Sequence, residues 1–172
     1  CEGEVWTWGM GRATGHGVDD EDAVWLVPTK VTGGGIDEAV VVQVAAGDSH
    51  SMALTSTGGL YSWGEGSSGQ LGHGDKENLA VPRVVGGTEG AVTGMAGGGD
   101  HSLVTTAEGR VLVFGSNGYE QEEDSDGEEL DEPVVVLDGR LGLGAGVEEA
   151  LTPTAIDGIV IGREGGGEEG KE

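Results

Sequence analysis

The sequence predicts an all-β repeat protein, and three observations support this prediction. The segment HSMALTSTGGLYSWG at residues 50–64 returns 51 residues later as HSLVTTAEGRVLVFG at residues 101–115. The apolar runs are short, rich in Val, Leu and aromatic residues, and bounded by Gly, Asp and Ser, which is typical of strands. No segment has the apolar stripe of a helix. A fixed period near 50 residues indicates repeated units that bury their apolar faces against their neighbours.

Each unit is predicted to contain four short strands. Glu4 to Trp8 resembles the last strand of a set whose beginning is missing. Pro82 stands at the first position of a predicted strand, where the N–H that proline lacks is not needed for pairing. The spacing predicts complete four-strand sets over 28–63 and 82–114. The strands predicted with bounds are, in chain order, 4–8, 40–46, 50–55, 60–63, 82–85, 91–96, 101–106, 110–114 and 133–137.

Two registers are open for the third repeat. In one, GRLGLGAG from Gly139 is a displaced echo of the GQLGHG motif at 69–74, Pro153 is the repeat proline, and an acidic insertion precedes it. In the other, the register is unbroken, Pro133 is the repeat proline, and residues 120–123 take the place of 69–72. We favour the unbroken register, because it needs no insertion and reproduces the 19-residue spacing between aromatic residue and proline of the preceding repeat.

The favoured register also predicts the organisation of the chain. It gives a partial first repeat at 1–31, the best-matching repeat at 32–85, a second clear repeat at 86–138 with an acidic loop at 120–132, a degenerate continuation at 139–162, and a disordered acidic tail at 163–172.

Composition narrows the function classes. The chain has 172 residues, 37 of them Gly, and a formal net charge of −24 that repels phosphate, so direct binding of nucleic acid is not expected. A basic protein segment is the partner that such a charge suits. Cys1 is the single cysteine, which excludes a disulfide within the chain and a CxxC metal site. No apolar run approaches the ~18 residues that span a bilayer, so membrane insertion is not expected.

The motifs of the second unit resemble those of the regulator of chromosome condensation repeat family. They are VAAGDSHSMALT, GLYSWGEGSSGQLGHG and VPRVV, within the segment from Gly33 to Val85. The resemblance implies an incomplete β-propeller arc of four-stranded antiparallel blades, a fragment of the seven-bladed ring of that family. Trp-Asp repeat propellers have a shorter period of roughly 40–45 residues and a signature that is absent here.

No residue is predicted to be catalytic. His50 and His101 follow equivalent Gly-containing turns, so we expect both imidazoles to be architectural, bonded to backbone, and we expect the same of His16 and His73. The glycine runs lack the spacing of a phosphate-binding loop, so no cofactor is predicted. The alternation that begins at Glu122 resembles a calcium loop, but its twelfth position is Pro133, so no metal site is predicted.

The predicted site is an acidic rim. Equivalent loops of a propeller project from the same side, and here they lie between the aromatic-Gly strand end and the repeat proline. The candidate interaction residues are Asp19, Asp20, Glu21, Asp22, Asp75, Glu77, Glu122, Glu123, Asp124, Asp126, Glu128 and Glu129.

The leading functional hypothesis is a protein-interaction propeller module of a larger regulatory protein, in a cytoplasmic or nuclear setting. The resemblance implies, as the alternative, guanine-nucleotide exchange on a small GTPase of the Ran type, for which no residue of this chain can be assigned. A light sensor like the plant ultraviolet-B receptor is a third hypothesis, weakened because its Gly-Trp-Arg-His-Thr motif is absent.

Overall fold

The chain folds into antiparallel β-sheets that stack face to face. The structure, a computed structural model, describes residues 3–20, 22–88, 90–123 and 129–160, and of residues 119–123, 129–137 and 160 it describes the backbone alone. Its strands are β1 Trp6–Met10, β2 Val24–Lys30, β3 Val41–Ala46, β4 His50–Thr55, β5 Leu60–Gly64, β6 Leu79–Val84, β7 Val92–Gly97, β8 His101–Thr106, β9 Arg110–Ser116, β10 Gly118–Glu123, β11 Glu129–Leu137 and β12 Glu149–Val160.

These strands form two four-stranded sheets and two two-stranded sheets within the described residues. The first four-stranded sheet, blade 1, has the order β3-β4-β5-β6. The second, blade 2, has the order β7-β8-β9-β12, and the β1–β2 pair lies before blade 1 as a half-blade. This confirms the predicted all-β arc of antiparallel blades. The predicted sets differ in one respect: the strand that contains Pro28 pairs with β1, so 28–63 is not one sheet.

The core lies between the sheets, as expected for units that cannot bury an apolar face alone. Met52, Leu54 and Leu60 of blade 1 pack against Val104, Leu112 and Phe114 of blade 2. On the other side of blade 1, Ala53, Tyr61 and Trp63 pack with Val5 and Val31 of the half-blade. Because side chains alternate along a strand, each blade thus contributes one apolar set to each neighbour.

The outer strand of blade 2 corrects the favoured register. Thr154 and Ala155 pair with Val113 and Leu112 of β9, as Arg83 and Val84 pair with Ser62 and Tyr61 of blade 1. Pro153 therefore occupies the position of Pro82, and the expectation that Pro133 is the repeat proline is wrong. Pro133 lies in β11, which pairs with β10 in a separate hairpin.

Residues 118–137 are therefore an insertion into blade 2. After it, Gly142 N–H donates to the Gly139 carbonyl, as Gly72 N–H donates to the Gly69 carbonyl in blade 1. Leu141 is buried like its counterpart Leu71. The GRLGLG segment, which follows the inserted hairpin in sequence, is thus the displaced copy of GQLGHG. Burial of Leu141 against Val113 stabilises it in this position.

Candidate interaction surface

One hydrogen-bonded unit occurs in the connection to the outer strand of both the half-blade and blade 1. Thr7 Oγ1 donates to the Thr14 carbonyl and lies 3.0 Å from His16 Nε2. In blade 1, Ser62 Oγ donates to the Leu71 carbonyl and lies 2.9 Å from His73 Nε2. The two histidines therefore hold the connection that follows the third strand against that strand, and desolvation lowers the pKa of His73 to about 4.

His50 is structural as expected, but its partner is a side chain and not the expected backbone. His50 Nε2 lies 2.8 Å from Ser102 Oγ of blade 2, and that hydroxyl donates to the Gln70 carbonyl of blade 1 at 2.9 Å. Because the Ser102 proton is used by Gln70, His50 Nε2 must be the donor. Burial lowers the pKa of His50 to about 4, which keeps its imidazole neutral and suited to this joint between the blades.

A tryptophan completes the joint between the half-blade and blade 1. Trp63 Nε1 donates to the Ala13 carbonyl at 2.9 Å, and Ser51 Oγ donates to the same carbonyl at 2.8 Å. Gly15 lies against the indole, where a Cβ would come within 2.7 Å of Trp63 Nε1. Gly72 lies against Phe114 in the same way at the next joint. The repeated His, Ser, Gly and aromatic positions therefore join one sheet to the next.

These joints place the outer connections of successive sheets on one side of the arc. Gly17 of the β1–β2 connection donates to the Ala80 carbonyl of blade 1, and Gly74 of the β5–β6 connection donates to the Leu151 carbonyl of blade 2. Each connection thus rests on the outer strand of the next sheet at an equivalent point. We call this side, with the β3–β4 and β7–β8 turns, the loop rim.

Five of the candidate residues lie on described parts of the loop rim. Asp20 and Asp22 are exposed in the β1–β2 connection, and Glu77 is exposed in the β5–β6 connection. Asp19 is bound by Arg12 at 2.9 Å, and Asp75 contacts Arg83 at 3.4 Å. Among the described residues, Asp20, Asp22 and Glu77 have no ion pair, so they carry the uncompensated negative charge of these two connections.

The remaining candidates lie in the inserted hairpin or outside the described residues. Glu21, Asp124, Asp126 and Glu128 are not described, nor is the tail at 163–172. For Glu122, Glu123 and Glu129 the structure gives only a backbone position in β10 or β11. Because β10 starts directly after β9, the hairpin leaves blade 2 within the same outer connection that carries the acidic residues of the other sheets.

Sequence reasoning missed acidic residues that reach the loop rim from the inner turns. Asp48 and Asp100 precede β4 and β8, and the backbone carbonyls of Ser49 and Asp100 accept hydrogen bonds from Glu65 N–H and Ser116 N–H. Strand direction puts these turns beside the outer connections, and the equivalence of GDSH and GGDH in the sequence was the available signal.

The loop rim also carries cations, which limits its net charge. Arg140 pairs with Asp138 and lies 3.9 Å from Asp100, and the ammonium of Lys76 pairs with Glu149. The Arg140 guanidinium holds the pKa of the Asp138 carboxyl below its usual range.

Two further features were sought among the described residues, a metal-binding cluster and a membrane-spanning helix. No three His, Cys, Asp or Glu side chains in that part of the chain converge in a way that could hold a metal ion. No helix in the described segments is long and apolar enough to cross a membrane.

Comparison with known proteins supplies the family. The model of the regulator of chromosome condensation (RCC1) repeat matches residues 2–54 and 57–105, and a second model of that repeat matches 41–70 and 92–121. The chain is 38% identical over 125 residues to the human E3 ubiquitin-protein ligase HERC2, covering 68% of this chain and 2% of that protein. It is 35% identical over 119 residues to the ultraviolet-B receptor UVR8 of Arabidopsis thaliana, covering 67% of this chain and 26% of the receptor.

A solved structure agrees with the fold. Prp20p from Saccharomyces cerevisiae matches with a TM-score of 0.68 at 20% identity, over 89% of this chain and 33% of Prp20p. That structure is described together with the binding of Prp20p to Gsp1p and histones. The family models cover more than half of the chain. The observed four-stranded antiparallel blades are also those that the resemblance to this family implies. The chain belongs to the regulator of chromosome condensation (RCC1) repeat family.

Proposed function

We propose that this chain is a protein-interaction module of a larger regulatory protein, and that its loop rim binds a basic segment of the partner. The main support is that Asp20, Asp22 and Glu77 are exposed and have no ion pair among the described residues. They lie in the outer connections, which bond to the next sheet at equivalent points. The acidic residues of the inserted hairpin and its flanks extend the same connection of blade 2.

The charge of the chain supports a basic partner. A net charge of −24 steers a cationic segment toward the protein, and exposed carboxylates give an attraction that salt screens. The relatives support binding in general: Prp20p is described through its binding to Gsp1p and histones. The activity and partners of HERC2 and UVR8 do not transfer directly, since the chain spans 2% and 26% of their lengths.

Two triple variants of equal net charge test this proposal. The rim variant carries Asp20→Asn, Asp22→Asn and Glu77→Gln. The control variant carries Glu38→Gln, Glu108→Gln and Asp157→Asn, which neutralise exposed acids away from the loop rim. Binding of a labelled oligolysine peptide is measured by fluorescence anisotropy at low salt.

We expect the rim variant to bind the peptide severalfold more weakly than the control variant, with a shallower salt dependence. Because both variants lose the same total charge, a purely global attraction would weaken both equally. Equal affinities would therefore contradict the proposal.

Guanine-nucleotide exchange on a Ran-type GTPase is the alternative. The similarity to Prp20p favours it at the level of fold, and fold alone does not specify activity. The chain is added to Ran loaded with fluorescent GDP and the release rate is followed. Faster release that depends on the concentration of the chain would support exchange, and an unchanged spontaneous rate would count against it.

A further inference from the structure

The inserted hairpin has a base that is fixed to blade 2. Asn117, the residue before the hairpin, is 1% exposed. Its Oδ1 accepts from Leu141 N–H at 2.8 Å, and its Nδ2 donates to the Val147 carbonyl at 2.6 Å. The Asn117 N–H donates to the Glu148 carbonyl at 2.7 Å, and the Asn117 carbonyl accepts from Asp138 N–H at 3.0 Å. These bonds join both ends of the hairpin to the folded blade, so the blade sets where strand β10 begins.

Beyond its base, the hairpin forms a sheet of its own. Strand β10 pairs with β11 and with no other strand in the described part of the chain. A single two-stranded hairpin is only marginally stable in water. In this one Glu123 lies opposite Glu129, and like charges at directly opposite positions destabilise a strand pair. A third strand that carried positive charge would add backbone hydrogen bonds and offset this repulsion.

Of the two strands, β10 has the edge that suits an added strand. The register shifts between the Gln121–Val134 pair and the Glu123–Glu129 pair. Residues 130–133 of β11 therefore bulge opposite a single residue of β10, and this bulge includes Pro133, which has no N–H to donate. Strand β10 runs for six residues without a proline. Its unpaired edge can therefore offer a continuous row of backbone donors and acceptors.

The residues of β10 indicate which strand would fit. Glu120 and Glu122 stand at alternate positions and share one face of the sheet, because residues alternate between faces along a strand. Residues 118–137 include nine Asp or Glu and no Lys or Arg. A strand with Lys or Arg at every second position would place a cation opposite each of these two glutamates. A second copy of β10 would place glutamate there, so the edge disfavours pairing of the chain with itself.

We propose that the free edge of β10 binds an extended strand of a partner protein that has Lys or Arg at every second position. The backbone bonds of the added strand supply affinity, and the two glutamates select the basic sequence. This inference rests on the proposed function, because the hairpin belongs to the outer connection of blade 2. It adds that the basic segment binds in an extended conformation and hydrogen-bonds to the backbone of the chain.

The experiment uses the wild-type chain and a labelled eight-residue peptide of alternating Lys and Thr, since Thr favours strands. One methylated form of the peptide carries N-methyl groups on the backbone nitrogens of its Lys residues, and the other carries them on those of its Thr residues. The N–H groups of alternate residues point to opposite edges of a strand, so only one form loses the donors that face β10. A third peptide of the same composition has four Lys followed by four Thr. Binding is measured by fluorescence anisotropy at low salt.

We expect one methylated peptide to bind at least about 10-fold more weakly than the unmethylated peptide, and the other to bind within about twofold of it. The alternating peptide should bind roughly 2- to 30-fold more tightly than the peptide with grouped Lys, because two cross-strand ion pairs form. Attraction by charge alone treats both methylated peptides equally. Equal affinities of these two peptides, or no binding of the alternating peptide, would overturn the proposal.

Two double variants of equal charge test the role of the glutamates. Glu120→Gln with Glu122→Gln should remove the preference for the alternating peptide. Glu38→Gln with Glu108→Gln, which neutralises exposed acids outside the hairpin, should keep it. A preference that persists in the first variant would contradict selection by these glutamates.

The two proposals can fail separately. If the loop rim attracts basic segments without strand addition, the rim triple variant binds oligolysine more weakly than its control, and the two methylated peptides bind the wild-type chain equally. If strands add to β10 without help from the rest of the loop rim, the two triple variants bind alike and the methylated peptides differ.

Discussion

Leu141→Ala tests the placement of the GRLGLG segment against blade 2. Leu141 is 0% exposed and packs with Val113 and Ala150, with Leu103 and Ile156 at the edge of the cluster. Truncation of a fully buried Leu costs about 2–5 kcal/mol through lost burial and the cavity left behind. We expect a loss near ~3 kcal/mol, because one side of this cluster faces no further sheet in the described structure. That loss is a large part of the roughly 5–15 kcal/mol that stabilises a domain.

The assay is urea unfolding followed by tryptophan fluorescence at low protein concentration, with two matched variants. Leu71→Ala changes the corresponding residue of blade 1, which is 2% exposed, and should cost a similar amount. Leu143→Ala, half-buried two positions further along, should cost less than half as much. If Leu141 lay in a surface segment outside the blade, its truncation would change stability by no more than about 0.5 kcal/mol. That result would refute the placement.

Three further predictions concern the insertion and the joints between sheets. Replacing residues 118–137 with a short Gly-Ser link should leave the thermal midpoint within a few degrees of the wild type, because Asp138 N–H already donates to the Asn117 carbonyl at 3.0 Å; loss of the cooperative transition would contradict this. The contribution of neutral His50 to the free energy of unfolding should be fully present above the ordinary His pKa of 6.5. It should fall as the pH drops from 6.5 toward about 4, because His50 is protonated in the unfolded chain over this range but stays neutral in the folded chain. A His50→Gln variant, compared over the same pH range in urea, should lose up to ~3 kcal/mol less than the wild type, and parallel pH profiles would count against the mechanism. Gly15→Ala should destabilise by more than about 1 kcal/mol and alter the near-ultraviolet circular dichroism of Trp63, because φ is +78° and the added Cβ would meet the indole; an unchanged spectrum would argue against the contact.

The repeat distance of 51 residues predicted blade 1 well. Strands β3, β4 and β5 fall within a residue or two of their predicted bounds, because short apolar runs between glycine turns are local signals. The grouping of the strands into sheets was harder to predict from the sequence. The strand of Pro28 pairs with β1, which precedes it, whereas the predicted set joined it to the strands that come after it.

Blade 2 shows why spacing misled. The sequence PVVV at 133–136 resembles PRVV at 82–85 and stands at the repeated distance from Phe114, so the local signals favoured it as the outer strand. The choice between 133–137 and β12 depends on contacts distant in sequence. Asn117 Oδ1 accepts from Leu141 N–H at 2.8 Å, and its Nδ2 donates to the Val147 carbonyl. These bonds hold the displaced motif against β9, and no window of sequence reveals them.

Only part of the candidate site could be predicted from local sequence signals. Asp20, Asp22 and Glu77 could be predicted because each follows an aromatic-Gly strand end within one repeat. Asp48 and Asp100 were missed: the sequence shows that their turns are equivalent, but their position beside the outer connections depends on strand direction in the folded sheet. The Ser102 partner of His50 lies 52 residues away, in another sheet. The only sequence signal for it was the Ser that follows the His in both repeats.

The central claim is that β12 is the outer strand of blade 2 and that the acidic hairpin is an insertion into the repeat. The most direct measurement is the pattern of backbone nuclear Overhauser contacts of β9 in the isotope-labelled chain. We expect cross-strand contacts from Val113 to Thr154 and from Leu112 to Ala155. Contacts from the same two residues to residues 133–137 would contradict it, and would restore Pro133 as the repeat proline.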